Sequence, residues 1–419
     1  MSPVRPTVTL IGLRDEPEHH RLRDLLTRIA QPYVWVEASS PEGTRLLRER
    51  APADARLPVL IDGDDVLTAL TTESLMAAWQ TSSGPTRKHY DLAIIGAGPA
   101  GLAAAVYAAS DGLTTVVFER DVPGGQAGHT SMIENFFGFP EGIGGAELAR
   151  RAGRQAEQFG AELVMLRGVV GGTPRPDGHD LTLAGGEELT ANVVVAAQGM
   201  DWRRLDAPGI EELLGRGVYY GAGRSEAARA DGEDVVVVGA GNSAGQAVLN
   251  FADAGARVTM LVRGDSLGKA MSAYLVQRIN VHPRIDVRLQ TEAAGADGDG
   301  HLEAVSVRGP DGGLESLAAR GLFLCIGGYP RSGVAEATGV RTDAKGYILS
   351  GPDLLERGAR PEGWPLDRDP LALETSAPGL FVAGDLRHGS TKRVAGAVGE
   401  GSMAVALAHR RIAELSAAG

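Results

Sequence analysis

Cysteine is nearly missing from this chain: Cys325 is the only one in 419 residues. Two thiols are the minimum for a disulfide, so the chain has no dithiol of its own to pass electrons through. The single thiol falls in the short apolar run 321–330, which ends in a turn. That pattern predicts a buried strand, where cysteine behaves as a small hydrophobe. Long apolar runs are missing too. None reaches the roughly 18 residues a bilayer span requires, and the N-terminus lacks a signal peptide's basic-then-apolar layout. No membrane insertion and a cytoplasmic location are therefore expected. Basic charge is not in excess: the net charge of -12 argues against a nucleic-acid surface. No metal site is expected either, because His19, His20, His129, His282 and His388 are scattered without ligand spacing.

Glycine, by contrast, is abundant, and part of the excess forms two fingerprints. In Tyr90-Asp-Leu-Ala-Ile-Ile-Gly96-Ala-Gly98-Pro-Ala100-Gly101 a strand runs into Gly-x-Gly-x-x-Gly and an alanine-rich helix. Gly96 makes the turn, Gly98 lets a pyrophosphate approach the backbone, and Gly101 lets helix and strand pack closely. The next strand, 115–118, ends at Glu119, followed by Arg120. A carboxylate at that distance can accept both hydroxyls of an adenosine ribose. Strand, helix and acid together point to a dinucleotide.

The second fingerprint is Asp234-Val-Val-Val-Val-Gly239-Ala-Gly241-Asn242-Ser243-Ala244-Gly245, again between strand and helix. Gly239, Gly241, Asn242, Ser243 and Ala244 are its expected cofactor-binding residues. The following strand, 257–262, ends in Arg263 rather than an acid. A guanidinium there suits a 2′-phosphate, so NADPH is expected, with NADH as the alternative if Arg263 is an ordinary strand-end charge. A third element follows far downstream. A strand at 380–382 delivers Gly384-Asp385, and Arg393-Val394 opens a helix of small residues. Small side chains let a flat cofactor approach, and the helix N-terminus offers free N–H groups. The first nucleotide-binding domain is therefore expected to be split by insertion of the second.

Residues 89–419 resemble the low-molecular-weight thioredoxin reductase group of flavoproteins. The resemblance rests on these fingerprints and on Gly124-Gly125-Gln126, Ile133-Glu134-Asn135-Phe136, Phe139-Pro140, Gly215-Arg-Gly-Val218 and Phe323-Leu-Cys-Ile-Gly327. It implies FAD held by the two ends of this region, NADPH held by the middle, a homodimer, and a nicotinamide domain that swivels. It places Gly124, Gly125 and Gln126 along the FAD, Asn135 near the isoalloxazine, and Asp385 on the ribityl-phosphate side. The backbone at Arg393-Val394 would face the flavin pyrimidine. The family's redox Cys-x-x-Cys, however, falls on Gly221 and Arg224 here, and neither forms a thiolate. Gly264 also stands where a second phosphate-binding arginine is expected.

Residues 1–82 read as strand 7–12, helix 20–30, strand 33–37, a helix from Pro41, a hairpin after Pro58 and a helix at 72–79. That order resembles the thioredoxin or glutaredoxin fold, with Pro58 in the place of its cis-proline. The stretch that should carry Cys-x-x-Cys, 14–20, has no thiol. Docking or dimer contact is its expected use. The expected fold is thus α/β: a thioredoxin-like domain (1–82), a linker (83–89), and an FAD domain in two parts (90–208 and 332–419) around an NAD(P)H domain (209–331).

The expected function is an FAD-dependent NAD(P)H oxidoreductase. Hydride would pass from NADPH to flavin N5 and then directly to a quinone, dioxygen, other small oxidant or ferredoxin-like protein. No side chain is assigned a catalytic role. His129 and Glu134 flank the expected flavin-facing loop, but each has an ordinary core, surface or cap reading. One alternative is a flavoprotein redox or nucleotide sensor, or an interaction protein, with little turnover, favoured by the loss of both dithiols. The other is a thioredoxin-disulfide reductase acting without its own thiols.

Overall fold

The computed structural model describes residues 6–79 and 84–418. The N-terminal module is a four-stranded sheet in the order Tyr33–Glu37, Val8–Gly12, Val59–Asp62, Asp65–Leu67. The first two strands run parallel, and the others join antiparallel. The Leu57–Pro58 peptide before the third is cis. Helix Pro17–Arg28 starts ahead of the expected residue 20. Proline fits a first helical position, whose N–H would go unused, and Glu18 suits the positive end. Leu22, Leu25 and Leu26 bury against Leu10, Leu60 and Leu75, and also against Val122 and Met165 of the next unit. The module's core is therefore shared. The expected boundary at 82/83 lies outside the described residues, and His89, assigned to the linker, already pairs as a strand.

Glu188–Ala196 is the hub of a seven-stranded sheet. On one side lie His89–Ile95, Thr115–Phe118 and Glu162–Val164, all parallel. On the other, its first residues pair antiparallel with Gly178–Leu183, and its last pair parallel with Leu380–Val382. A strand from far downstream thus completes a sheet begun at residue 89. Helices Pro99–Ser110 and Val394–Ala418 pack so closely that a Cβ at Gly401 would lie 2.1 Å from the Ala100 carbonyl oxygen.

The intervening chain forms a second unit. Its five parallel strands run in the order Val218–Tyr220, Gly321–Leu324, Asp234–Val238, Arg257–Val262, Ile285–Leu289, beside a three-stranded antiparallel sheet. Met200–Trp202 pairs antiparallel with Gly328–Pro330, where the chain leaves and rejoins the first unit. This crossover precedes the expected boundary at 208/209, because Leu205 and Ala207 already pack on the inserted unit's core. Cys325 follows the Gly321–Leu324 strand and is buried, which pushes its thiol up to about 12. Among the described residues, no helix is long and apolar enough to cross a membrane.

Charge as well as apolar packing holds the N-terminal module. Glu226 of the inserted unit pairs with His20 at 2.9 Å and with the fully buried Arg23 at 3.3 Å, and also meets Arg229. Arg23 and Arg229 both lie over the Trp35 ring. Burial alone would push the Glu226 carboxyl up, but the His20 bond and the two guanidinium charges carry it well below the ordinary carboxylate range. A carboxyl depressed in the folded state stabilises it above the unfolded value of about 4.3, and that contribution is lost as pH falls. The module is therefore expected to loosen below about pH 4, seen as a change in tryptophan emission before helical circular dichroism is lost. Emission that holds steady until global unfolding would contradict this.

Candidate functional site

Four parallel strands of the first unit end at one cleft of about 470 Å³. His89–Ile95 leads into Gly96, whose φ of +103° makes the turn. A Cβ there would meet the Ala197 carbonyl oxygen at 2.5 Å, and one at Gly101 would lie 1.8 Å from the Gly96 oxygen. These two glycines are packing residues below the cleft. Gly98 differs: it lines the cleft, and a Cβ on it would have no atom within 4 Å. Its backbone is open to a ligand at the N-terminus of Pro99–Ser110, where unpaired N–H groups and the helix dipole favour an anion.

Glu119 follows the Thr115–Phe118 strand and is buried. Its carboxylate accepts from the Ala97 N–H at 2.8 Å and the Asp121 N–H at 3.1 Å, which fixes its aim. Burial raises its pKa despite those two bonds. Next to it, Arg120 and Arg331 both hold Asp201 at 2.6 Å. From the hub strand come Ala197 and Gln198, whose side-chain amide is buried with neither atom hydrogen-bonded. Buried amides ordinarily find partners, so this one is free for a ligand. From the returning strand come Gly384 and Asp385, whose carboxyl is raised by burial. Lys392, Arg393 and Val394 close that end. An open glycine at a helix N-terminus, a buried carboxylate held in a fixed aim and an unpaired amide fit the adenosine and pyrophosphate of FAD.

Of the residues expected at cofactors, the cleft gathers Gly98, Ala100, Glu119, Arg120, Gly125, Gln126, Asn135, Gly384, Asp385, Arg393 and Val394. Gln126 reaches across to donate to the Met200 carbonyl at 3.1 Å. Gly124 sits just behind, with a φ of +122°. From the inserted unit the cleft receives Asn242, Ser243 and Gln246, so the second fingerprint's helix end faces the first unit's cavity. Gly239, Gly241, Ala244 and Arg263 are not brought there. Gly239 turns against the Cys325 carbonyl, Ala244 is buried, and Gly241 is open at the start of helix Asn242–Asp253. Arg263 is exposed, with no ion-pair partner among the described residues, whereas Lys269 is tied to Asp265 at 2.7 Å. Gly221 and Arg224, where the resemblance would put a dithiol, lie elsewhere. Gly221 packs on Trp202, which lines the cleft, and Arg224 lies against Gly144.

Sequence reasoning missed Arg28, Gln198, Trp202, Arg331 and Lys392 as lining residues. Arg28 belongs to another module, and only tertiary docking brings it in. Gln198 and Trp202 follow the hub strand, where residues just beyond a parallel strand end were the available signal. Among the described residues, no cluster of His, Cys, Asp and Glu is arranged to hold a metal ion.

Residues 90–401 match the family model described as pyridine nucleotide-disulphide oxidoreductase. The thioredoxin reductase of Bacillus subtilis (strain 168) is 34% identical over 332 residues, covering 78% of this chain and 96% of that protein. Among solved structures, the thioredoxin reductase of T. acidophilum aligns with a TM-score of 0.68 at 26% identity, over 78% of this chain and 100% of that one. The Lactococcus lactis thioredoxin reductase in its FR conformation gives the same TM-score at 29% identity, over 78% and 99%.

Proposed function

Since this chain belongs to the pyridine nucleotide-disulphide oxidoreductase family, we propose that it carries electrons from NADPH to an acceptor without any protein dithiol. It is an FAD-dependent oxidoreductase, with FAD and a pyridine nucleotide as cofactors. The observation that carries the reading is the pairing of one shared cleft with one inert thiol. Both fingerprints contribute to the cleft, while Cys325 is buried and Gly221 and Arg224 occupy the positions where the resemblance would put a dithiol.

FAD, when bound, supplies a two-electron store between donor and acceptor. The residues do the holding. Gly98 and the helix N-terminus at Pro99 receive the pyrophosphate, and Glu119 takes the ribose hydroxyls. Asp385 and the backbone at Arg393 and Val394 hold the other end. Asn242 and Ser243 would present the nicotinamide nucleotide, and the exposed Arg263 would pair with its 2′-phosphate, favouring NADPH. The balance is one NADPH, one proton and one acceptor in, and NADP⁺ and the doubly protonated, two-electron-reduced acceptor out. The N-terminal sheet, a parallel pair extended by an antiparallel hairpin, supports a thioredoxin-like module without redox thiols. The test is anaerobic. NADPH should bleach the bound flavin, and an oxidant without a disulfide, such as a quinone, should restore its colour. A flavin that neither nicotinamide bleaches would refute the proposal.

A further inference from the structure

The face that opens the N-terminal module's first helix is engaged inside the chain itself. Arg14 pairs with both carboxylate oxygens of Glu233 at 2.6 Å, and Asp15 holds Arg320 at 2.7 Å. Pro17 packs on Gly215. His20 bonds Glu226 and lies 4.5 Å from Tyr219 between ring centres. All of these partners belong to the inserted unit. The last turns of the same helix grip the first unit instead: Arg28 meets Asp121 at 2.7 Å, and Asp24 lies 3.6 Å from His129.

One helix therefore holds both nucleotide-binding units, and its His20 and Arg23 engage Tyr219 and Glu226, which flank Gly221 and Arg224 in the chain. Separating Glu226 from the fully buried Arg23 would strand a buried charge. The units are also tied beside the cleft, where Gln246 donates to the Met132 carbonyl at 2.9 Å and Arg278 pairs with Glu134 at 2.8 Å.

We propose that the N-terminal module is a permanent internal partner, which fixes the inserted unit against the cleft and keeps redox proteins off 219–229. The acceptor is then a small two-electron oxidant that occupies the cleft itself after the nicotinamide has left. This inference rests on the oxidoreductase reading above and names its substrate class. The stretch 14–20, where the resemblance would put the module's redox motif, is already occupied through Arg14, Asp15, Pro17 and His20 and is not open to a protein acceptor.

The experiment uses the full-length holoprotein carrying Arg14→Cys and Glu233→Cys, bridged by a short bifunctional maleimide. Cys325, buried and with its thiol at about 12, stays unmodified. The control is the same variant capped at both sites by a monofunctional maleimide. The bridged protein should oxidise NADPH with a quinone within about two-fold of the capped control, in a double-displacement pattern where each substrate competes with the other. A bridged protein whose flavin is still bleached by NADPH but whose turnover falls more than about ten-fold would overturn the fixed orientation. Capped protein that NADPH cannot bleach would instead refute the oxidoreductase reading, and this inference with it. As a readout independent of turnover, X-ray scattering of the unmodified chain should superimpose before and after NADPH is added. A change of shape that the bridge suppresses would overturn the proposal.

Discussion

Gly98→Val should give a chain that folds but no longer retains FAD. Gly98 has a φ of -73° and a ψ of -176°, a backbone that a β-branched residue adopts without strain. A Cβ there meets nothing within 4 Å, so the isopropyl group would project into the cleft where a pyrophosphate has to reach the helix N-terminus. Flavin absorbance per chain should fall at least about ten-fold, because the obstructed contact is the one the fingerprint exists to make. The melting temperature of the flavin-free protein should barely move. Gly101→Ala supplies the contrast. Its single methyl would sit 1.8 Å from the Gly96 carbonyl oxygen, with backbone on both sides of the clash. That variant should lose the fold of the first unit, read as a lowered melting temperature or insolubility. If Gly98→Val keeps its flavin, the cleft is not where the FAD pyrophosphate binds.

Arg263→Ala should erase the preference for NADPH while leaving NADH almost untouched. Arg263 ends the strand after the second fingerprint, is exposed, and has no ion-pair partner among the described residues, so its guanidinium is free for a phosphate. A hydrogen bond to a charged group contributes about 1.5–3 kcal/mol. Losing it should raise the KM for NADPH roughly 10- to 100-fold, with kcat little changed. Lys269 does not replace it, being held by Asp265. Equal losses with both nicotinamides would make Arg263 a structural residue instead. No change with either would make it an ordinary surface charge.

Much of the first unit's cleft was legible because its lining follows short local strand-turn-helix spacings. Gly96, Gly98, Gly101 and Glu119 each answer a backbone or hydrogen-bonding demand set within one strand-turn-helix unit. Gly384 and Asp385 were legible from the strand before them, although the pairing of Leu380–Val382 with Glu188–Ala196 lies beyond any local pattern. The second fingerprint was read as the NAD(P)H-binding element, and the structure distributes its residues. Asn242 and Ser243 join the first unit's cleft while the exposed Arg263 does not line it, a division set by the relative orientation of two units.

The N-terminal module was legible as a sheet order but not as a contact. Nothing in the spacing of Arg14, His20, Arg23 and Arg28 says that their partners lie some two hundred residues away in one unit and at Asp121 in another. Such ion pairs carry no periodicity, and a fully buried arginine such as Arg23 reads from sequence as a solvated face. The early start of helix Pro17–Arg28 had a local signal in Pro17 and Glu18, which fit a first turn better than the loop expected there.

The most direct test of electron transfer without a protein dithiol is an anaerobic titration of the holoprotein with NADPH, followed by mixing with a quinone. One NADPH per FAD should complete the bleaching, because a single cysteine stores no further electron pair. The quinone should then restore the oxidised flavin in full, and Cys325→Ser should behave identically. Uptake of a second electron pair, loss of reoxidation in Cys325→Ser, or reoxidation only by a disulfide-bearing protein would contradict the account.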